Sequence, residues 1–116
     1  MSKDMEALQT ALREFAQARD WEQFHSPKNL AAALCVEAGE LLEHFQWLTE
    51  EQSCNLSPER RGQVAEELAD VLLYTLQLAD KLDIELLDAA WKKLEINKEK
   101  YPVERARGRS TKYTEL

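Results

Sequence analysis

The chain is 116 residues long and acidic, with 15 Lys and Arg residues against 22 Asp and Glu residues and a formal net charge of −7. This length favours one domain, and the charge argues against binding a nucleic-acid polymer. Three glycines and three prolines are too few for the turns of a β-sandwich or barrel, so an all-α fold is expected. The longest apolar run, Leu30 to Val36, is too short to span a membrane, and the chain start lacks the apolar stretch of a signal peptide. A cytoplasmic protein without a membrane partner is therefore expected.

Four long helices are predicted in chain order, over residues 3–20, 27–48, 58–82 and 84–99. The second and third each begin at a Ser-Pro pair, Ser26-Pro27 and Ser57-Pro58, whose hydroxyl caps the helix and whose proline fits its first position. Residues 49–57 are predicted as the main loop. Residues 1–102 are expected to form the domain, and residues 103–116 form a basic C-terminal tail, whose simplest interpretation is a solvated terminus.

Two acidic pairs at i, i+3 spacing, Glu37 with Glu40 and Glu67 with Asp70, lie on the second and third predicted helices. At 100° per residue each pair borders the apolar face of its helix, whereas Glu43 lies farther round towards solvent. Packing of the two apolar faces would bring the four carboxylates together, and they would repel one another unless a cation lay among them. Mg²⁺ fits this chemistry because it takes oxygen ligands and bridges carboxylates to phosphates.

Two alternatives for these acids are weaker. A solvated, salt-bridged surface would need compensating charge, yet residues 37–70 contain nine acids and only two basic residues, Arg60 and Arg61. Such a surface would make the chain a non-catalytic helical interaction module that needs no Mg²⁺. A ferritin-like di-iron site would need Glu-x-x-His on two helices, and His44 does not have that spacing.

The third predicted helix is also apolar on a second side, which is formed by Ala65, Ala69, Leu72, Leu73 and Leu76. Four helices in one chain cannot readily cover both sides of this helix, and an uncovered apolar stripe would favour association or aggregation. We therefore expect an obligate homo-oligomer with this helix at its centre, in which a neighbouring chain contributes to the site.

At these acids the chain resembles the MazG superfamily of all-α nucleoside triphosphate pyrophosphohydrolases, whose motif is ExxE on one helix and ExxD on the next. Within this superfamily it looks like the dCTP pyrophosphatase branch, and it is similar to the small integron-associated MazG proteins of that branch. The similar segments span nearly the whole chain: Asp20-Trp21-Glu22-Gln23-Phe24-His25, Pro27-x-Asn29-Leu30, residues 37–47, Glu66-Glu67-Leu68-x-Asp70-Val71-Leu72, Ile96-Asn97, Tyr101-Pro102 and Lys112-Tyr113-Thr114-Glu115-Leu116.

The resemblance implies a four-helix MazG-like bundle in an intertwined homo-oligomer, most often a tetramer built as a dimer of dimers. It also implies hydrolysis of a deoxynucleoside triphosphate, dCTP with dATP as a second candidate, to the monophosphate and pyrophosphate. Such an enzyme cleans the nucleotide pool. The implied cofactor is Mg²⁺, with Mn²⁺ as a substitute. A phosphoribosyl-ATP pyrophosphohydrolase is a related alternative, against which the nucleobase-pocket residues named next argue.

The resemblance also implies roles for individual residues. The implied metal ligands and catalytic residues are Glu37, Glu40, Glu67 and Asp70. The implied base-pocket residues are Trp21, at the end of the first predicted helix, His25, and Trp47, in the last turn of the second. The other implied substrate-binding residues are Tyr74, Asn97, Lys98, Tyr101, Arg107, Lys112 and Tyr113. The last three lie in the C-terminal tail, which is implied to close the site.

Overall fold

A computed structural model describes residues 4–115, and within that range the chain is all-α, with no β-strand. Its helices are α1 (Met5–Ala18), α2 (Pro27–Glu43), α3 (Glu50–Ser53), α4 (Pro58–Lys81), α5 (Leu86–Lys100) and α6 (Val103–Ala106). Short 3₁₀ turns cover Glu22–Phe24 and Tyr113–Glu115. The predicted all-α class is confirmed, and the four predicted long helices are present as α1, α2, α4 and α5. None of the described helices is long and apolar enough to cross a bilayer.

The two Ser-Pro pairs start α2 and α4 as predicted. Ser26 Oγ accepts a hydrogen bond from Asn29 N at 3.2 Å, and Ser57 Oγ accepts one from Arg60 N at 3.1 Å. Each hydroxyl satisfies an amide that has no partner within its helix, and each proline occupies a position where no amide hydrogen is needed. These caps set where both helices begin.

Helix α2 ends at Glu43, earlier than the predicted end at residue 48. The amides of His44 and Phe45 bond to carbonyls three residues back, at 3.2 and 2.9 Å, so the chain tightens into turns. Arg60 Nη1 donates to the His44 carbonyl at 3.0 Å and satisfies one of the free carbonyls at this end. The prediction that Trp47 lies in the last turn of the second helix is therefore wrong, because Trp47 follows the helix in a turn.

The predicted loop over residues 49–57 contains the short helix α3. Thr49 and Gln52 form a capping box there, in which Thr49 Oγ1 accepts from Gln52 N at 3.1 Å and Gln52 Oε1 accepts from Thr49 N at 2.9 Å. This reciprocal cap stabilises a helix too short to persist by propensity alone.

The chain divides into two compact units, one up to Asp83 and one from Ile84 onward. In the first, α2 packs along α4, and the Arg60–His44 bond shows that the two run antiparallel. Helix α1 runs parallel to α4, since Gln9 Nε2 donates to the Leu76 carbonyl at 2.9 Å and Arg13 pairs with Asp80 one turn further along. The second unit contains α5, α6 and the tail.

The core of the described residues is small. Its buried apolar residues are Ala16, Leu30, Val64, Leu76 and Ala79. Leu76 is only 2% exposed because α1 covers this part of α4, so the predicted uncovered second stripe is wrong at Leu76. At the other end of that stripe Ala65 and Ala69 are exposed.

Candidate active site

The antiparallel packing of α2 on α4 brings three of the predicted acids together. One carboxylate oxygen each from Glu37, Glu67 and Asp70 lies within 4.8 Å of the other two, and all three residues are half-buried. We call these three residues the carboxylate cluster. The sequence predicted this juxtaposition from helix faces, because each i, i+3 pair borders the apolar face by which its helix packs.

The remaining predicted ligand, Glu40, is exposed and lies outside the carboxylate cluster, one turn along α2. It still acts on the cluster, because its charge and its hydrogen bonding both raise the pKa of Glu37. Glu43, predicted as an ordinary solvated acid, is exposed as the last residue of α2.

The carboxylate cluster lacks donors. Glu37 Oε2 and Glu67 Oε2 are both buried and have no hydrogen-bond partner among the described residues. Burial is the largest cause that raises the pKa of Glu37, followed by hydrogen bonding with Glu67, and the pKa reaches about 7. A proton on Glu37 supplies the missing donor, and it also reduces the repulsion from Glu40 and Asp70.

The two basic residues nearest in sequence do not compensate these acids. Arg60 donates to the His44 carbonyl, and neither Arg60 nor Arg61 forms an ion pair within the described part of the chain. The salt-bridged surface considered above is therefore not what the structure contains.

A cavity of about 390 Å³ adjoins the carboxylate cluster. Two stripes at helical spacing form its walls, one on α1 and one on α4, and two further residues close it; the lining residues are Leu8, Ala11, Leu12, Phe15, Trp21, His25, Asp70, Leu73, Tyr74 and Gln77. Asp70 belongs to both the cavity and the carboxylate cluster. The cavity is thus mostly apolar, with an acidic end.

The turn after α1 positions the aromatic end of this cavity. Asp20 adopts a left-handed backbone with φ of 53°, which Asp tolerates better than most residues, and the Trp21 amide bonds back to the Ala16 carbonyl at 2.9 Å. The Trp21 ring meets Phe15 edge-on at 5.5 Å between centroids, and meets His25 at 6.4 Å.

The structure therefore places three of the predicted substrate-binding residues, Trp21, His25 and Tyr74, around one cavity. Trp47 is not among its lining residues and is 86% exposed. Gln77 lines the cavity but was not predicted from the sequence, although it shares a face of α4 with Asp70 and Tyr74 at i+7 and i+3 spacing.

The other predicted substrate-binding residues belong to the second unit. Tyr101 and Tyr113 meet edge-on at 6.1 Å, and Lys100 Nζ lies 4.5 Å from the centre of the Tyr113 ring. Lys98 pairs with Glu95 at 3.0 Å, and the Asn97 carbonyl accepts from the Tyr101 amide at 2.8 Å. Arg107 precedes Gly108, which has a left-handed backbone with φ of 74°, and the Lys112 carbonyl accepts from the Glu115 amide at 2.9 Å.

Comparison with known proteins adds independent findings. Residues 32–116 match the model of the MazG-like family. The chain is 46% identical to dCTP pyrophosphatase 1 of Homo sapiens and 44% identical to that of Mus musculus, each over 97% of this chain and 67% of the relative. Its fold is similar to the crystal structure of a pyrophosphatase from Archaeoglobus fulgidus, with a TM-score of 0.81 and 43% identity over 88% of this chain and 95% of that one.

Proposed function

The chain belongs to the MazG-like family, and we propose that it hydrolyses dCTP between the α- and β-phosphates, to dCMP and pyrophosphate, with Mg²⁺ bound by its acids. It is a nucleoside triphosphate pyrophosphohydrolase, as its dCTP pyrophosphatase and pyrophosphatase relatives support. The observation that carries the proposal is the pair of buried carboxylate oxygens without donors, on Glu37 and Glu67, beside a cavity that shares Asp70.

The acids fit a hard divalent cation. The carboxylate cluster offers three oxygens within 4.8 Å of one another, and no basic side chain of the described residues neutralises them. Glu37, Glu67 and Asp70 would hold the ion, with Glu40 adding charge beside Glu37. When bound, Mg²⁺ or Mn²⁺ supplies positive charge to the phosphate oxygens and lowers the pKa of a coordinated water.

The cavity suits the nucleoside half of the substrate. Apolar residues of α1 and α4 exclude water, and the Trp21 and His25 rings offer faces against which a base can stack. Asp70 joins this cavity to the cluster, so one molecule can have its base in the cavity and its phosphates at the acids. Six residues of the second unit remain predicted substrate-binding residues, namely Asn97, Lys98, Tyr101, Arg107, Lys112 and Tyr113.

The decisive test is pyrophosphate release from each deoxynucleoside and ribonucleoside triphosphate, 5-methyl-dCTP and phosphoribosyl-ATP, with Mg²⁺, Mn²⁺ or EDTA. We expect release from dCTP above all, with dATP next, and none in EDTA. Absence of release from every deoxynucleotide with either metal would refute the proposal, and preference for phosphoribosyl-ATP would favour the related enzyme.

The base pocket has its own test. His25→Ala should flatten the ranking among bases more than it slows the best substrate, because a stacking residue binds the base while the acids serve the phosphates. Ratios of kcat/KM for dCTP, dATP and dTTP measure this. An unchanged ranking would mean that His25 only packs against Trp21.

We also propose a homo-oligomer, built as a dimer of dimers. Large apolar residues on α2 and α4 remain exposed, with Val36 at 58%, Leu42 at 59% and Leu68 at 52%, beside a small core. A second copy of the chain would cover them, and Trp47 could then reach a neighbouring cavity. Leu76, a member of the predicted second apolar side, offers no test of assembly because it is buried within one chain.

Leu42→Glu tests assembly instead. We expect sedimentation to show dissociation or aggregation together with lost turnover, since a charge would enter the interface. Gln46→Glu, an exposed neighbour, is the matched control and should behave like the parent. A fully active monomer would contradict the oligomer.

A further inference from the structure

The cavity between α1 and α4 contains one side-chain amide without a partner. Residues 4–83 include two half-buried glutamines, Gln9 and Gln77. Gln9 donates to the Leu76 carbonyl at 2.9 Å, whereas the Gln77 carboxamide forms no hydrogen bond with any residue that the structure describes. The Gln77 carboxamide is not one of the buried polar groups without a partner, so it is open to solvent and to a ligand in the cavity.

Gln77 lies where a base would reach. It is on the same face of α4 as Asp70, seven residues further along, which corresponds to about 10 Å of helix. Tyr74 lies between them on that face. A nucleotide with its phosphates at the Asp70 end therefore extends past Tyr74 towards Gln77, while Trp21 and His25 line the same cavity.

We propose that Gln77 is a base-binding residue, whose carboxamide hydrogen-bonds the polar edge of the nucleobase while the aromatic rings take its face. This assignment rests on the proposed function and names the group that contacts the base edge. A carboxamide presents an acceptor oxygen beside a donor nitrogen, and cytosine and adenine each present an exocyclic amine beside a ring-nitrogen acceptor. The Gln77 carboxamide and the edge of either base are therefore complementary, and together they form two hydrogen bonds.

Kinetics on two substrates separates base binding from a structural role. Gln77→Met keeps the length of the side chain and removes its hydrogen bonds, so kcat/KM for dCTP should fall about tenfold, through KM. Turnover of deoxyribose 5-triphosphate, which has no base, should not change. The matched control is Gln63→Met, an exposed position on the same helix, which should leave both rates unchanged. An equal fall on both substrates, or no fall on dCTP, overturns the proposal.

A second measurement does not depend on turnover. The side-chain amide signals of Gln77, assigned by their disappearance in Gln77→Met, should shift when dCMP is added to the ¹⁵N-labelled protein. If the signals shift but the protein hydrolyses no nucleotide, base binding by Gln77 is supported and only the proposed reaction is refuted. Unshifted signals at millimolar dCMP overturn the role of Gln77 whatever the turnover.

Discussion

Helix α4 carries acids in two settings that differ in what faces them. Towards its end, Asp80 meets Arg13 of α1 in a two-pronged ion pair with distances of 2.7 and 2.8 Å, and hydrogen bonding with Arg13 lowers the pKa of Asp80. Earlier on the helix, Glu67 and Asp70 meet Glu37 of α2, and burial with further acids raises the pKa of Glu37 to about 7. An acid with a cation stabilises the fold, whereas a group of acids without one is left able to bind a ligand.

Removing a charge from the carboxylate cluster should have the largest effect, and that effect is on turnover. Glu37→Gln or Glu67→Gln should lower pyrophosphate release on the order of 100-fold or more, because charge stabilisation at the phosphates is lost. The metal-free variants should also unfold at a higher temperature than the parent, since repulsion is relieved. Glu43→Gln is the control and should be nearly fully active. If Glu43→Gln is inactive and Glu37→Gln active, the wrong face of α2 has been assigned.

The second largest effect is expected on the free energy of unfolding, which should depend on pH and on bound metal. The folded pKa of Glu37, about 7, lies above its ordinary 4.5, so the stability gained from its proton is complete below 4.5 and is lost as pH rises through 7. Between pH 5 and 8, the metal-free parent should therefore lose more stability than Glu37→Gln. Mg²⁺ at one hundred times its Kd should stabilise the parent at pH 8 by about 2.7 kcal/mol. Urea unfolding measures both, and identical pH dependence in the two proteins would contradict this account.

The smallest effect is expected from breaking the Arg13–Asp80 ion pair. Its contribution to stability is lost towards acid pH, whereas that of Glu37 is lost towards alkaline pH. The folded pKa of Asp80 lies below its ordinary 3.8, so its contribution is present above 3.8 and is lost as pH falls through the folded value. Asp80→Asn should lower Tm by roughly 2–4 °C at pH 7, with turnover retained. The difference from the parent should shrink at acid pH. Circular dichroism melts at pH 7 and pH 3 provide the check, and a large loss of activity would place Asp80 in the site.

The sequence patterns predicted the parts of the site that depend on one helix at a time. The Ser-Pro caps mark the starts of α2 and α4, and the i, i+3 acids border the apolar faces by which these helices pack. Trp47 was misplaced because the chain leaves α2 in tight turns at His44 and Phe45, where the His44 carbonyl accepts from Arg60 of another helix. Gln77 was not predicted as a cavity residue because its spacing from Asp70 and Tyr74 indicates only a shared helix face, and the cavity forms where α1 packs beside that face.

The sequence by itself determined the all-α class, the helix starts and the faces on which the acids lie, because capping and helical periodicity act over three or four residues. The tertiary structure alone decided which acids lack a partner. Asp70 and Asp80 are the same residue type on the same helix. However, α1 places Arg13 beside Asp80, whereas α2 places a carboxylate oxygen of Glu37 within 4.8 Å of one of Asp70. The charge that an acid meets comes from another helix, and its distance is set by how the helices pack.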